Sequence, residues 1–181
     1  MKIVADDIIQ FWFQELTPEQ WWIKSETLDA DIAKRFLDVH LKAASCELWQ
    51  WRDTSVGRLA EIIILDQFSR NMYRGTASAF AFDALALALA QEAVNKREHE
   101  SLTAMQRGIL YMPYMHSESA SIHREAEKLF KANGLDVQYQ FELKHKLIID
   151  RFGRYPHRNK LLGRQSSSEE LEFLKLPDSG F

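Results

Sequence analysis

Apolar and polar positions alternate with the period of an α-helix over most of the chain. The clearest stripe follows Ser25 and includes Leu28, Ile32, Phe36 and Val39, so it predicts a helix that Ser25 caps. Comparable patterns predict further helices over residues 6–13, 54–73, 77–95, 103–115, 119–133 and 136–152, and a last short helix that follows the serines at 166–168 and runs to about Lys175. Asp6 is the predicted cap of the first of these, Thr54 or Ser55 begins the second, and Gly134 ends the helix over 119–133. We therefore expect an all-α fold of eight or nine helices with no confident strand.

Two short segments carry a strand-like pattern within this helical frame. Residues 62–65 form an apolar run that could be a buried strand, and residues 84–90 alternate Ala and Leu with period two. Ala and Leu are strong helix formers, and Arg, Glu and Gln flank the first run. We therefore assign both segments to helices.

Composition narrows the class of protein. The chain has 181 residues, of which 46% are hydrophobic, which predicts one folded domain over residues 1–181. The formal net charge is −3, which argues against a nucleic-acid partner. The longest strongly apolar run, 84–90, is too short to span a bilayer, and no signal sequence follows Met1. The single cysteine, Cys46, excludes an intrachain disulfide and a cysteine-based zinc site, so we expect a cytoplasmic protein without metal, cofactor or membrane partner.

The first segment that resists a purely structural interpretation is residues 65–75. Gln67, Asn71 and Arg74 have the spacing of one helix face, and Asp66 and Arg70 are four residues apart. This face is apolar one turn earlier, which is typical of a helix running from the core to the rim of a pocket. The alternative is a solvated last turn with one surface ion pair.

The second segment, residues 112–118, places His116 and Glu118 at a joint between two predicted helices. These residues could form a general base with the carboxylate that orients it, or supply two metal ligands. No third ligand is specified by the sequence. The alternative is that Glu118 favours the start of the following helix through the helix dipole.

The third segment, residues 151–164, is a loop built on Gly and Pro that contains no acidic residue. Its five positive residues are Arg151, Arg154, Arg158, Lys160 and Arg164. Guanidinium groups match the oxygens of carboxylates and phosphates, so the loop is a candidate anion site. The alternative is that its arginines pair with Asp66, Glu118 and helix carbonyls to hold an irregular loop in place.

These segments, with several aromatic motifs, resemble a known family. The motifs are Phe11-Trp12-Phe13, Trp21-Trp22, Leu65-Asp66-Gln67-Phe68, Arg70-Asn71, Arg74-Gly75, Pro113, His116-Ser117-Glu118, residues 152–159, Leu162-Gly163-Arg164, Glu169-Glu170 and Phe173-Leu174. On them the chain resembles the bacterial domain-of-unknown-function family 924, whose members look like tetratricopeptide-type helical proteins. The resemblance covers essentially the whole chain and implies a tetratricopeptide-like bundle or solenoid with no established reaction. Ser69 stands where the family pattern usually has Pro, which would bend the helix.

Our first hypothesis for the function is a binding module. The polar residues of the three segments would converge on one concave site for an anionic small molecule or the carboxylate of a peptide. The predicted ligand-binding residues are Asp66, Gln67, Arg70, Asn71, Arg74, Arg154, Arg158 and Asn159.

Two other hypotheses stay open. In the first, the chain is a hydrolase or transferase in which His116 or His157 is the general base or acid, oriented by Glu118 or Asp66. In the second, the polar motifs only lock the helices and the loop together, and a buried pair would cost about 3–5 kcal/mol to break. The oligomeric state is not specified by the sequence.

Overall fold

Helices form all the regular secondary structure of residues 3–177, 179 and 180, the part of the chain that this computed structural model describes. The α-helical segments are α1 (Ala5–Gln10), α2 (Glu26–Ala44), α3 (Ser55–Ile63), α4 (Ser69–Met72), α5 (Asp83–Asn95), α6 (Ala104–Leu110), α7 (Met112–Met115), α8 (Ala120–Asn133), α9 (Asp136–Phe152) and α10 (Ser168–Phe173). Short 3-10 helices lie at Pro18–Trp21, Trp49–Asp53, Ala77–Phe80, Glu98–Ser101 and Pro156–Arg158. The all-α prediction is confirmed, and the α-helices in the described residues number eight when α4 and α7 are counted with the helices they continue. The tetratricopeptide-like arrangement and the single domain stay predictions.

Most helix ends follow the predicted capping residues. The hydroxyl of Ser25 accepts a hydrogen bond from Leu28 N at 3.3 Å, and Thr54 accepts one from Gly57 N at 3.0 Å. Gly134 ends α8 in the left-handed conformation, with φ of 76°.

The first helix begins differently from the prediction, in which Asp6 is the cap. Val4 precedes the helix, and Asp6 lies inside the first turn. The carboxylate of Asp7 accepts a hydrogen bond from Val4 N at 2.8 Å, so this side chain satisfies the first backbone donor.

The long helix predicted over residues 54–73 is interrupted by a wider turn. After α3, the five residues Ile64–Phe68 are π-helical, and α4 then continues to Met72. The same type of turn follows α1, at Phe11–Glu15. A π-helical turn shifts the side chains that follow it around the helix axis, and such turns are frequent at functional sites. In this chain the turn contains Asp66 and Gln67.

The predicted helix over residues 77–95 is divided in two. Ala77–Phe80 forms a 3-10 helix, and α5 begins only at Asp83. The alternating Ala and Leu run is helical, as predicted, and its buried residues Ala86, Leu89 and Ala90 belong to the main core. By length and composition alone the 19-residue segment could cross a membrane, with mean hydropathy 1.4, but the core helix of a soluble protein meets the same criterion.

The main core surrounds α3, whose side chains are buried on every face. Next to it, the rings of Phe11, Phe36 and Phe68 lie 4.9 to 5.8 Å apart between centroids. Packing of this density fixes the direction in which the π-helical turn leaves α3.

A smaller apolar cluster attaches the basic loop to the C-terminal helices. Ile148 and Ile149 of α9 pack with the buried ring of Tyr155. The rings of Phe152 and Phe173 lie 5.1 Å apart and cover this cluster. These contacts hold the loop that begins at Gly153 against α9, close to the end of α7.

Candidate functional site

The π-helical turn places a carboxylate in the interior of the protein. The side chain of Asp66 is 0% exposed. Its Oδ1 lies 2.7 Å from Nδ1 of His116, and its Oδ2 accepts a hydrogen bond from Nε2 of Gln67 at 2.6 Å. A guanidinium nitrogen of Arg70 lies 3.5 Å from Oδ1. The structure therefore brings three residues, from the first and second sequence segments, around one buried acid.

The environment sets the charge of this pair. Burial favours the neutral acid, but the positive charge of Arg70 and the hydrogen bonds from His116 and Gln67 hold the pKa of Asp66 below its ordinary value. Burial lowers the pKa of His116, and this effect is larger than the opposite effect of the Asp66 carboxylate beside it. A neutral imidazole that donates from Nδ1 to Asp66 has its lone pair on Nε2. This Nε2 has no hydrogen-bond partner in the described part of the chain, and the His116 side chain is 13% exposed.

A second carboxylate, that of Asp83, bridges two arginines. Arg70 donates to both of its oxygens, at 2.9 and 3.0 Å, and also to the carbonyl of Ala79. Nη1 of Arg158 lies 3.2 Å from Oδ2 of the same carboxylate. The guanidinium carbons of Arg70 and Arg158 lie 5.0 and 4.6 Å from the ring centroid of Phe80. Both cations are therefore held by one acid and one aromatic ring.

The guanidinium of Arg158 is buried and only partly neutralised. The residue is 6% exposed, and its Nε has no hydrogen-bond partner within residues 3–177, 179 and 180. The ring of Tyr155 covers it at 4.6 Å. Burial, together with the positive charge of Arg70, lowers the pKa of Arg158. We refer to Asp66, Arg70, Asp83, His116 and Arg158 as the polar cluster.

Glu118 ties the basic loop to the end of α7. It accepts hydrogen bonds from Arg164 at 2.6 and 2.9 Å and from Tyr155 N at 2.7 Å. Burial opposes ionisation, but these hydrogen bonds lower the pKa of Glu118. The carboxylate bonded to His116 is thus Asp66, and Glu118 holds the loop.

Asn71 and Arg74 contact a different helix. Both donate to Asp29 of α2, Asn71 at 2.8 Å and Arg74 at 2.6 and 2.8 Å. The structure therefore does not join these two predicted ligand-binding residues to the polar cluster through any described contact.

The remaining predicted residues lie along the loop. Arg154 donates to both oxygens of Glu170 at 2.7 and 2.8 Å, and Asn159 donates to Ser166 at 3.0 Å. The ring of His157 lies 5.5 Å from that of Tyr155, and burial lowers the pKa of His157 to about 4. Of the predicted loop residues, Arg158 alone contacts an acid of the polar cluster among the described residues.

A further buried network lies beside Tyr155. Nδ1 of His123 is 2.7 Å from Oε1 of Glu142, and its Nε2 is 2.8 Å from the carbonyl of Ser117 and 3.2 Å from the hydroxyl of Tyr155. That hydroxyl donates to the carbonyl of Met115. Burial raises the pKa of Glu142. This network anchors the residue whose ring covers Arg158.

Sequence reasoning missed Asp83 and Phe80. Nothing in their spacing marks them, because they lie 13 and 10 residues after Arg70 and far from Arg158 in sequence. The division of the 77–95 segment at a 3-10 helix places them, whereas the sequence pattern predicts one continuous helix over this segment.

The site has no feature of a metal centre. No group of three or more His, Cys, Asp or Glu side chains in the described residues is arranged to hold a metal ion. Two of the depressions on the described surface, of about 270 and 230 Å³, are lined by no residue of the polar cluster.

Comparisons with known proteins agree with this fold. The family model described as bacterial protein of unknown function (DUF924) matches residues 8–178. A solved structure of a protein of unknown function from Agrobacterium tumefaciens is 35% identical, with a TM-score of 0.90. That match covers 94% of this chain and 96% of the other. A search of curated proteins finds no match. The resemblance inferred from the sequence motifs is confirmed.

Proposed function

Because the chain belongs to the bacterial protein family of unknown function DUF924, we propose a function from the polar cluster itself: the protein binds a small anion there. The observation that carries this proposal is Arg158, a guanidinium that is 6% exposed, has an unpartnered Nε and shares its carboxylate with Arg70. A buried charge is costly unless it is paired and hydrogen-bonded. A bound carboxylate or phosphate would supply the missing acceptor.

The neighbours of Arg158 suit the same ligand. Arg70 presents a second guanidinium, and planar guanidinium forks bind carboxylate and phosphate oxygens in pairs. The lone pair on Nε2 of His116, which has no hydrogen-bond partner within the described residues, can accept a hydrogen bond from a hydroxyl group that the ligand carries. The ligand is an anionic small molecule or the carboxylate of a peptide.

The proposal is tested by thermal unfolding with phosphate, citrate, acetate and short peptides at constant ionic strength. A ligand present at 100 times its Kd stabilises the folded protein by about 2.7 kcal/mol. For a chain of this length that raises the Tm by roughly 5–11 °C. No shift with any of these anions would refute the proposal.

Variants assign the binding to the cluster. Arg158→Lys keeps the positive charge and removes the fork, so we expect it to stay folded and to lose most of the shift. The matched control is Arg151→Gln, in the last turn of α9 just before the loop, whose guanidinium binds exposed Glu169. It should keep the full shift. If Arg158→Lys folds and binds as wild type does, or if it does not fold, the cluster is a structural lock.

A second candidate function is that of an enzyme, favoured by the hydrogen bond from His116 to Asp66. This 2.7 Å contact orients the imidazole and leaves Nε2 available for proton transfer, as in a general base or acid. A hydrolase or transferase acting on an anionic substrate fits this pair. The test is turnover of simple phosphate and carboxylate esters by wild type and His116→Gln. The enzyme hypothesis requires turnover in wild type that His116→Gln abolishes while anion binding persists.

A further inference from the structure

We propose that Asp83 occupies the anion site of the unliganded protein and thereby selects a small-molecule phosphate monoester over a monocarboxylate. This inference rests on the proposed function, because it names the ligand class and a specificity-determining residue of the same site. It starts from the geometry of Asp83, whose carboxylate receives two hydrogen bonds from Arg70 and lies 3.2 Å from Arg158. A ligand carboxylate would make these same contacts.

Of the two carboxylates in the polar cluster, that of Asp83 is the one that can move away from the arginines. Its side chain is 19% exposed, whereas that of Asp66 is 0% exposed and is held by His116 and Gln67. Asp83 has no hydrogen-bond donor other than the two arginines among its described neighbours. Its carboxylate can therefore turn into solvent without breaking the pair around Asp66.

The guanidinium groups are supported when the carboxylate leaves. The ring of Phe80 lies against both Arg70 and Arg158, at 5.0 and 4.6 Å from the guanidinium carbons. Arg70 also donates to the carbonyl of Ala79. Cation–π and backbone contacts thus keep two positive charges in place for an incoming anion.

Charge then decides which anion displaces Asp83. A monocarboxylate would exchange one carboxylate for another, and it competes with a tethered group whose effective concentration is millimolar or higher, to order of magnitude. A phosphate monoester carries about −1.5 to −2 charge at neutral pH and three acceptor oxygens. It neutralises Arg70 and Arg158 together and can offer an oxygen to the unpartnered Nε of Arg158. Phosphate monoesters should therefore bind where monocarboxylates do not.

The experiment is isothermal titration calorimetry at pH 7.5 and constant ionic strength, with glycerol 3-phosphate, inorganic phosphate and acetate as probes. For wild type we expect acetate to bind at least tenfold more weakly than glycerol 3-phosphate. Asp83→Asn removes the competing carboxylate charge. The affinity for acetate should therefore rise at least tenfold, and the preference for glycerol 3-phosphate over acetate should become smaller. Asp83→Ser is the second variant, in case the first does not fold.

The matched control is Asp29→Asn. Asp29 is also a partly buried carboxylate, 15% exposed, that accepts two hydrogen bonds from one arginine and one from an amide. It lies outside the cluster, so its variant should keep the wild-type preference.

The outcomes separate this inference from the proposed function. Phosphate binding with a preference that neither Asp83 variant changes would overturn the inference and leave the proposed function standing. Tighter binding of inorganic phosphate than of glycerol 3-phosphate would overturn the monoester assignment. Absence of all binding in wild type and in both variants would overturn the proposed function, and this inference with it.

Discussion

The geometry of the buried contact between His123 and Glu142 requires a proton between these two side chains. Nε2 of His123 faces the carbonyl of Ser117 and the oxygen of Tyr155, whose own proton is donated to Met115. Nε2 must therefore carry a hydrogen. The 2.7 Å contact from Nδ1 to Glu142 then needs a second hydrogen, which belongs either to an imidazolium or to a carboxylic acid. Both side chains are fully buried.

The substitution Glu142→Gln replaces this titratable proton with an amide donor. A glutamine N–H can donate to Nδ1 of neutral His123, so the hydrogen bond and the packing are kept. We expect a change in the free energy of unfolding below about 1 kcal/mol at pH 7. Glu142→Ala leaves Nδ1 buried without a partner and opens a cavity, so it should cost about 2–4 kcal/mol.

The pH dependence gives a second measure. Burial raises the pKa of Glu142 above its ordinary value of 4.5, so the unfolded chain releases this proton first as the pH rises. Wild type therefore loses stability from about pH 4.5 up to the raised pKa of the folded protein. Glutamine does not titrate, so the stability of Glu142→Gln relative to wild type should increase over the same range.

The assay is urea unfolding followed by tryptophan fluorescence between pH 5 and pH 8. Glu125→Gln, which removes an exposed partner of Lys128, is the control and should change stability by less than about 0.5 kcal/mol. The reasoning is refuted if Glu142→Gln is as unstable as Glu142→Ala at pH 7. That result would mean that an imidazolium–carboxylate charge pair, and not a shared neutral proton, stabilises this network.

Three further substitutions test the packing and charge of the fold. Gly57→Ala would place a Cβ 2.1 Å from the carbonyl oxygen of Trp51, so calorimetry should show a loss of more than about 2 kcal/mol. Ser69→Ala removes the hydroxyl 2.8 Å from buried His40, whose other ring nitrogen has no partner in the described chain; urea unfolding should show a loss of about 1–3 kcal/mol. The arginine partner of Glu170 lowers its pKa to about 2, so this carboxylate stabilises the fold above pH 4.5 and loses that effect as the pH falls through 2. In acid unfolding, the difference in unfolding free energy between wild type and Glu170→Gln should disappear over that pH range.

The sequence predicted the helices because their signals are local. A stripe of apolar side chains and a cap such as Ser25 or Gly134 lie within one helix and its neighbours in sequence, and the structure has both ends where they were expected. The break before α5 was missed. Arg70 binds Ala79 and Asp83 across this break, and no local pattern in the sequence reports such a contact.

The same limit explains why the site predicted from the sequence contains more polar residues than the structure brings together. Arg74, Arg154 and Arg158 look alike as residues that break an apolar pattern, yet each meets a different environment. Arg74 and Arg154 each have a carboxylate of their own, that of Asp29 and that of Glu170. Arg158 shares one and has an unpartnered nitrogen in the described structure.

An arginine therefore stabilises the fold when a carboxylate of its own neutralises its charge, and it is available to a ligand when that neutralisation is incomplete. The extent of neutralisation depends on residues such as Asp83, which is 75 positions from Arg158 in sequence. Asp83 becomes a neighbour of Arg158 only when α5 packs against α3 and α7. A change that alters this packing without touching the cluster should therefore alter anion binding as well. For that reason the variants of Asp83 and Arg158 are informative only when their unfolding free energies are measured beside their affinities.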